Sequence, residues 1–393
     1  MGSGQAVAVV GAYGHTGRFV VAELLERGFR PVLVGRDAEK LGALAGALGR
    51  AWDGVGGPGG LSGLGESSEL SRAGGVDGFS SRDGVDGAGG LGESVGGGAV
   101  GLDVRPATAD DPTALDRALT GVAAVINCAG PFASTAAPVI EAALRAGIPY
   151  LDVAAEVEAN ADTFAHFDEP ARAAGVAVVP AMAFYGGLGD LLATAAMGDW
   201  TGADEAHIAY GLSSWHPTEG TRAAGRVSRD RRNGQRVRYA KGKLEYVRGE
   251  LPTLEWSFPA PLGTRDVIGE FTMADVITVP SHLAIPEVCT YMTTEAARDV
   301  VGPDTPTPAA VDEQGRSAQT FLVDVRVRAG GVERRAVAQG QDIYAVTAPL
   351  VVEAVDRLLT GRSKALGVAS AGALFDAADF LRALAPRILV EVG

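Results

Sequence analysis

Three glycines near the start of the chain carry the most chemistry. The run Val-Val-Gly-Ala-Tyr-Gly-His-Thr-Gly sets Gly11, Gly14 and Gly17 three apart, between an all-apolar stretch (Val7–Val10) and a helical pattern over Gly17–Arg27. A strand that turns sharply into a helix leaves backbone N–H groups facing an anion. Glycines there permit the turn, the approach of a pyrophosphate and close packing of helix on sheet. The arrangement predicts dinucleotide binding. The end of the second strand (Pro31–Val34) selects the dinucleotide. An NAD site normally has a carboxylate there for the ribose, whereas this chain has Gly35 and then Arg36. Glycine leaves room for a 2′-phosphate and a guanidinium can hold it in bidentate fashion. NADP(H) is the expected cofactor. Asp37 keeps NAD open as an alternative, and a plain solvated role stays open for Arg36.

Ligands of open α/β sheets sit beyond the carboxyl ends of the strands. A third strand over Ala99–Val104 puts Asp103 there, to meet the adenine end or to act as a loop acid. The fourth (Val122–Asn127) runs into the small turn Ala129-Gly130-Pro131, suited to packing against the nicotinamide half. The fifth (Tyr150–Val153) leads to Asp152 and Glu156. Reduction by hydride also needs a proton donor. Tyr185, Asp152 and Glu156 are the candidates taken forward, with His216 and Tyr210 behind them, each with a structural role as its alternative. Cys128 reads as a packed small hydrophobe, since no histidine base lies near it in sequence. Tyr239 and Lys243 have the spacing of a Tyr-x-x-x-Lys pair. RVRYAKGKLEY reads as a strand, which would separate them by about 13 Å, so the pair is rejected as a catalytic dyad.

The elements that must position these residues form an alternation of strand and helix up to about residue 200, the pattern of a parallel sheet covered on both faces. Beyond it the period changes: 204–213, 235–247, 321–328 and 332–339 read as strands of an antiparallel sheet, before helical patterns over Ile343–Leu359 and Gly372–Leu384. The expected class is α/β: a Rossmann-type parallel sheet with a second α+β domain containing an antiparallel sheet. The domains are placed at 1–198 (nucleotide binding), 199–340 (substrate or dimerisation) and 341–393 (C-terminal helices returning to the first). Residues 54–98 hold 18 of the 55 glycines and seven serines, too few apolar side chains to offset ordering, and read as a flexible insertion.

Composition narrows the class further. With 393 residues, 47% apolar and a formal charge of −14, the chain suits a globular protein and disfavours nucleic acid and anionic membranes. No long apolar run or His/Cys cluster occurs, so neither a membrane span nor a metal is expected, and the two cysteines fit a cytoplasmic protein. One stretch opposes the net charge: residues 222–243 carry seven arginines and two lysines against Asp230 alone. It reads as a solvated edge, or as a surface recognising a carboxylated or phosphorylated substrate or an acidic carrier protein bearing it.

Taken together, GAYGHTG, GRDAEKL, INCAGPF and YLDVAAE resemble the N-terminal domain of the saccharopine dehydrogenase-like oxidoreductases, a group that includes trans-acting enoyl reductases. The likeness covers residues 5–190 apart from the insertion and, more faintly, QGQDIYAVTA at 339–348. It implies an NADP(H)-linked Rossmann domain, a second α+β domain over the cofactor and a C-terminus that returns to the first domain. It places Gly11, Tyr13, Gly14, His15, Thr16 and Gly17 on the pyrophosphate and Arg36 on the 2′-phosphate. Asn127, Ala129, Gly130 and Pro131 would line the nicotinamide side. Ala155 stands where the family often has glycine, and AMAFYGGLGD replaces its proline–serine turn, so substrate contacts differ here. The expected function is NADPH-dependent reduction of a C=N bond in a small carboxylated or carrier-bound substrate, with enoyl C=C reduction and a non-catalytic NADP-binding regulator of NmrA type as alternatives. A homodimer stays open.

Overall fold

A computed structural model describes residues 4–53 and 101–393; the expected insertion at 54–98 lies outside the described residues. In chain order, the first half runs β1 (Ala6–Val10), α1 (His15–Glu26), β2 (Arg30–Gly35), α2 (Ala38–Asp53), β3 (Asp103–Pro106), α3 (Pro112–Ala118), β4 (Ala124–Asn127), α4 (Phe132–Ala146), β5 (Tyr150–Asp152), α5 (Val157–Ala174), β6 (Ala177–Val179) and α6 (Gly189–Met197). The second half continues with β7 (Glu205–Leu212), α7 (Glu219–Arg231), β8 (Arg236–Ala240), β9 (Lys243–Val247), β10 (Thr253–Ser257), β11 (Thr264–Gly269), α8 (Asp275–Thr278), β12 (Glu287–Thr293), α9 (Thr294–Val301), β13 (Thr320–Ala329) and β14 (Val332–Gln341). Last come α10 (Thr347–Leu359), β15 (Gly367–Val368), α11 (Ala371–Leu374), α12 (Ala377–Ala383) and β16 (Ile388–Val392).

The short apolar runs of the first half form one parallel seven-stranded sheet in the order β15-β6-β5-β4-β1-β2-β3. Every residue of β1 and β4 is buried, as expected of strands covered on both faces. The order reverses between β1 and β4, so a crevice opens beyond their carboxyl ends. The second sheet has nine strands and is mixed: β7 is antiparallel to β13 but parallel to β12. The antiparallel expectation missed β12, because the excursion from β7 to β12 passes through α7, the β8–β9 and β10–β11 hairpins and α8. The Rossmann-type sheet joined to a second, mixed-sheet α+β unit is the predicted class.

Several boundaries differ for local reasons. The first helix begins at His15, leaving Gly14 as its N-cap. The fourth begins at Phe132 and carries Pro138 inside it. The stretch 235–247 is a hairpin turning at Lys241 (φ 55°) and Gly242 (φ 74°). Tyr239 and Lys243 therefore stand on facing strands, with Tyr239 opposite Leu244, so the dyad fails for a different reason than distance along one strand. The final segment is not helical throughout: β15 extends the first sheet and β16 the second.

Candidate active site

The first turn is built as its glycines imply. Gly11 has φ 80°, open to glycine, and a Cβ there would lie 2.9 Å from the Ala129 backbone nitrogen, so the turns after β1 and β4 are in contact. A Cβ on Gly17 would collide with the Gly11 carbonyl oxygen. Gly14 ends the turn, its N–H bonded to Gly11 O at 2.9 Å, and supplies no side-chain cap to α1. The result is an uncapped helix N-terminus at the crevice, the geometry that takes a pyrophosphate.

The turn after β4 faces it. Asn127, fully buried, accepts from Ala129 N–H (3.0 Å) through Oδ1, and its amide lies 3.3 Å from Tyr150 Oη. Thr135 donates to Ala129 O, and Gly130–Pro131 is a cis peptide. Glu156 reaches across to accept from Phe132 N–H (2.7 Å) and Ala133 N–H (3.3 Å), capping α4 from a neighbouring element. Asp152, at the end of β5, accepts from Ala154 N–H (3.0 Å), Ala181 N–H (2.8 Å) and Tyr150 Oη (2.9 Å). Burial lifts its carboxyl to about 6 despite those bonds. Both acids are occupied in holding turns.

At the other end of the crevice Asp37 accepts from Lys40 N–H (3.0 Å) and caps α2, a bond that holds its carboxyl below the usual range. Arg36 is exposed and has no ion-pair partner among the described residues. The ribose-chelating alternative is thereby turned into the helix, while the guanidinium stays available. Asp103 requires a correction. It opens β3, opposite Val32, and pairs with Arg105 (2.7 Å), so it lies toward the amino end of the strand and away from the crevice. The strand begins four residues later than its apolar pattern suggested.

Residues 93–179 match the family model of the saccharopine dehydrogenase NADP binding domain, a span that includes the turns after β4 and β5. The chain carries a saccharopine dehydrogenase-like NADP-binding domain. With it, the protein is an NADP-dependent oxidoreductase in class. Among solved structures, saccharopine dehydrogenase (L-Glu forming) from Saccharomyces cerevisiae aligns over 99% of this chain and 100% of its own, at 11% identity and a TM-score of 0.58, showing a shared fold. GenD2 from gentamicin A biosynthesis, in complex with NAD, aligns over 100% and 97% at 13% identity and a TM-score of 0.41. No curated protein matches the chain.

Other residues around this domain escaped sequence reading. Tyr344, in the segment before α10, packs edge-on against His15 with ring centroids 5.1 Å apart. Its hydroxyl donates to His216 O (3.2 Å) and lies 3.1 Å from Thr221 Oγ1 and 3.2 Å from Trp215 Nε1. Thr218 caps α7, accepting from Thr221 N–H, and that helix packs next to α4 and α5. A threonine followed by Glu219 was the available signal for the helix, masked by its lack of an apolar stripe. Trp215 in turn packs at a tilt against Tyr185 (5.0 Å), which touches Tyr210 (5.0 Å). Tyr185 is buried and its hydroxyl has no hydrogen-bond partner among the described residues. Burial holds that phenol well above its ordinary value, hence neutral. Tyr210 donates to Asp275 Oδ1 (2.9 Å) and His216 contributes its carbonyl, which uses both in structural bonds. Cys128 is raised by burial and stays a thiol.

The arginine run is largely consumed internally. Arg222 bonds the carbonyls of Gly302 and Thr305, Arg231 pairs with Asp162, Arg232 with Glu158, and Arg236 and Arg238 with Glu270. Arg226 and Arg229 remain exposed on α7. Among the described residues no group of His, Cys, Asp and Glu could hold a metal, and no helix is long and apolar enough to cross a membrane.

Proposed function

We propose that the protein uses NADPH to reduce a C=N bond in a small substrate held between the first sheet's crevice and α7. The observation carrying this reading is the pairing of an uncapped glycine turn, set against the turn after β4, with a β2 end that offers Arg36 and withholds Asp37. The fold shared along both chains with a saccharopine dehydrogenase is consistent with C=N reduction, and the substrate panel below separates it from C=C reduction. The internal pairing of most arginines on and after α7 favours a free small molecule over one presented by an acidic carrier.

When bound, the cofactor supplies hydride. The chain's residues do the rest. Gly11, Gly14, His15, Thr16 and Gly17 hold the pyrophosphate, and Arg36 the 2′-phosphate. Asn127, Ala129, Gly130 and Pro131 wall the nicotinamide side. Tyr185 gives the proton: its phenol is neutral, without a hydrogen-bond partner among the described residues, and one ring removed, through Trp215, from the Tyr344 that sits on His15. Asp152 and Glu156 act as positioning residues, since every carboxylate oxygen already accepts a hydrogen bond, from the backbone of the turns and the helix start they hold and, at Asp152 Oδ2, from Tyr150 Oη.

The test combines binding with turnover. Arg36→Ala should weaken NADPH about 10- to 100-fold in a fluorescence titration and leave NADH unchanged, the size of one lost charge-assisted contact. NADPH absorbance should fall with an imine formed from an amine and a 2-oxo acid, and not with an enoyl thioester. Tyr185→Phe should cut kcat by about 10²–10⁴ at constant NADPH affinity. Turnover of the enoyl substrate alone would replace the C=N reading, and binding with no turnover of either would favour the regulator.

A further inference from the structure

The end of β2 holds a second layer of selection that the glycine pattern does not reveal. The Tyr13 ring lies across Gly35: a Cβ built on that glycine would stand 2.8 Å from Tyr13 Cε1 and 3.6 Å from Leu41 Cδ2. Tyr13 is fixed from behind, its carbonyl accepting from Arg18 Nε at 3.1 Å. In front of it Lys40, on the first turn of α2, places Nζ 5.9 Å from the ring centroid and 3.5 Å from Asp37 Oδ2. Arg36 stands exposed between them in sequence. The space into which a side chain at position 35 would start is therefore taken by an aromatic ring, with the Lys40 ammonium over that ring and Arg36 exposed next to Gly35 in the chain.

We propose that cofactor choice is set by Tyr13, Gly35 and Lys40 acting with Arg36: the Tyr13 ring excludes an acid at position 35, and Lys40 is the second cation for the 2′-phosphate. This rests on the NADP reading and extends it to how the opposite choice is blocked. Glycine at 35 leaves the room that the Tyr13 ring takes, and the 2′-phosphate falls to the cations beyond it. Lys40 is divided between its i−3 carboxylate and the ligand and is mostly exposed, so its share is smaller than that of Arg36.

The experiment is a set of NADPH and NADH titrations by protein and nicotinamide fluorescence, each variant checked by circular dichroism. Lys40→Ala should weaken NADPH about three- to tenfold and leave NADH unchanged. Gly35→Asp should lose NADPH without gaining NADH, because the new side chain meets the ring. Adding Tyr13→Ala to Gly35→Asp should then raise NADH affinity at least about tenfold over the single variant. Should Gly35→Asp fail to fold, Gly35→Ala replaces it. That change should weaken NADPH in the native background and much less in the Tyr13→Ala background. Equal NADH binding by Gly35→Asp with and without Tyr13 would overturn the steric part, as would additive effects in the alanine pair. An equal loss of both dinucleotides in Lys40→Ala would overturn its role. A native protein that binds neither dinucleotide, or both alike, would instead count against the NADP reading itself.

Discussion

Asp275 shows how a single buried group sets a measurable property. It is fully buried, Tyr210 donates to its Oδ1, and its Oδ2 has no hydrogen-bond partner among the described residues. Burial lifts the carboxyl from 3.8 to about 7. Between those values the folded chain keeps a proton that the unfolded chain has released. The contribution to stability is therefore greatest at low pH, falls through this window and levels off above about 7. Asp275→Asn stays neutral throughout. Its unfolding free energy relative to the native protein, read from urea melts at each pH, should rise from mildly acidic to neutral pH by on the order of a few kcal/mol. An unchanged difference across that range would contradict the assignment. At this scale the glycines and Arg36 were legible because their residue types are nearly unique to their tasks. Asp275, Tyr344 and Trp215 were not, since each acquires its role only from partners far away in sequence.

Among elements, α4 is the clearest case of a part stabilised from outside itself. Its own N-cap, Pro131, offers no side-chain acceptor, and Glu156 from the turn after β5 takes that place. Glu156→Ala should cost about 1–2 kcal/mol as a lost cap, seen in urea melts. It should also weaken NADPH binding severalfold, because the turn that α4 anchors is the one in contact with Gly11. Loss of stability with unaltered NADPH affinity would separate the two turns. Glu156 was visible in the sequence as an acid at a strand end, but its target, a helix cap 24 residues back, was not. The α7 helix was missed for the converse reason: its arginines look solvent-facing by composition, yet Arg222 and Arg231 are satisfied by carbonyls and a carboxylate of neighbouring elements, as is Arg232 at its C-cap.

The whole molecule is tied by its last segment. One apolar core runs from Val7 of β1 through Ile208 and Val325 of the second sheet to Ile388. Along α1, α10 and α12 a chain of charges joins Glu23, Arg27, Glu353, Arg357 and Asp379, with Arg387 closing on Glu23 and Glu26. Arg357 is 2% exposed, so removing its buried partner leaves a charge without adequate compensation. Glu353→Ala should cost about 3–5 kcal/mol. With a shared core, calorimetry of the native protein should show one cooperative transition, and two separate transitions would mean the sheets fold independently.

From the chain of residues alone came the parallel sheet, the crevice turn, the cofactor and the kinship, because strand burial and glycine geometry are local demands that residue type satisfies directly. Tertiary structure alone decided that Asp103 faces the wrong end of its strand, that Asp152 and Glu156 hold turns, that Asp37 is spent on a helix and that β16 finishes the second sheet. Each of those depends on which distant backbone group lies within hydrogen-bond reach, a quantity that spacing along the sequence does not contain.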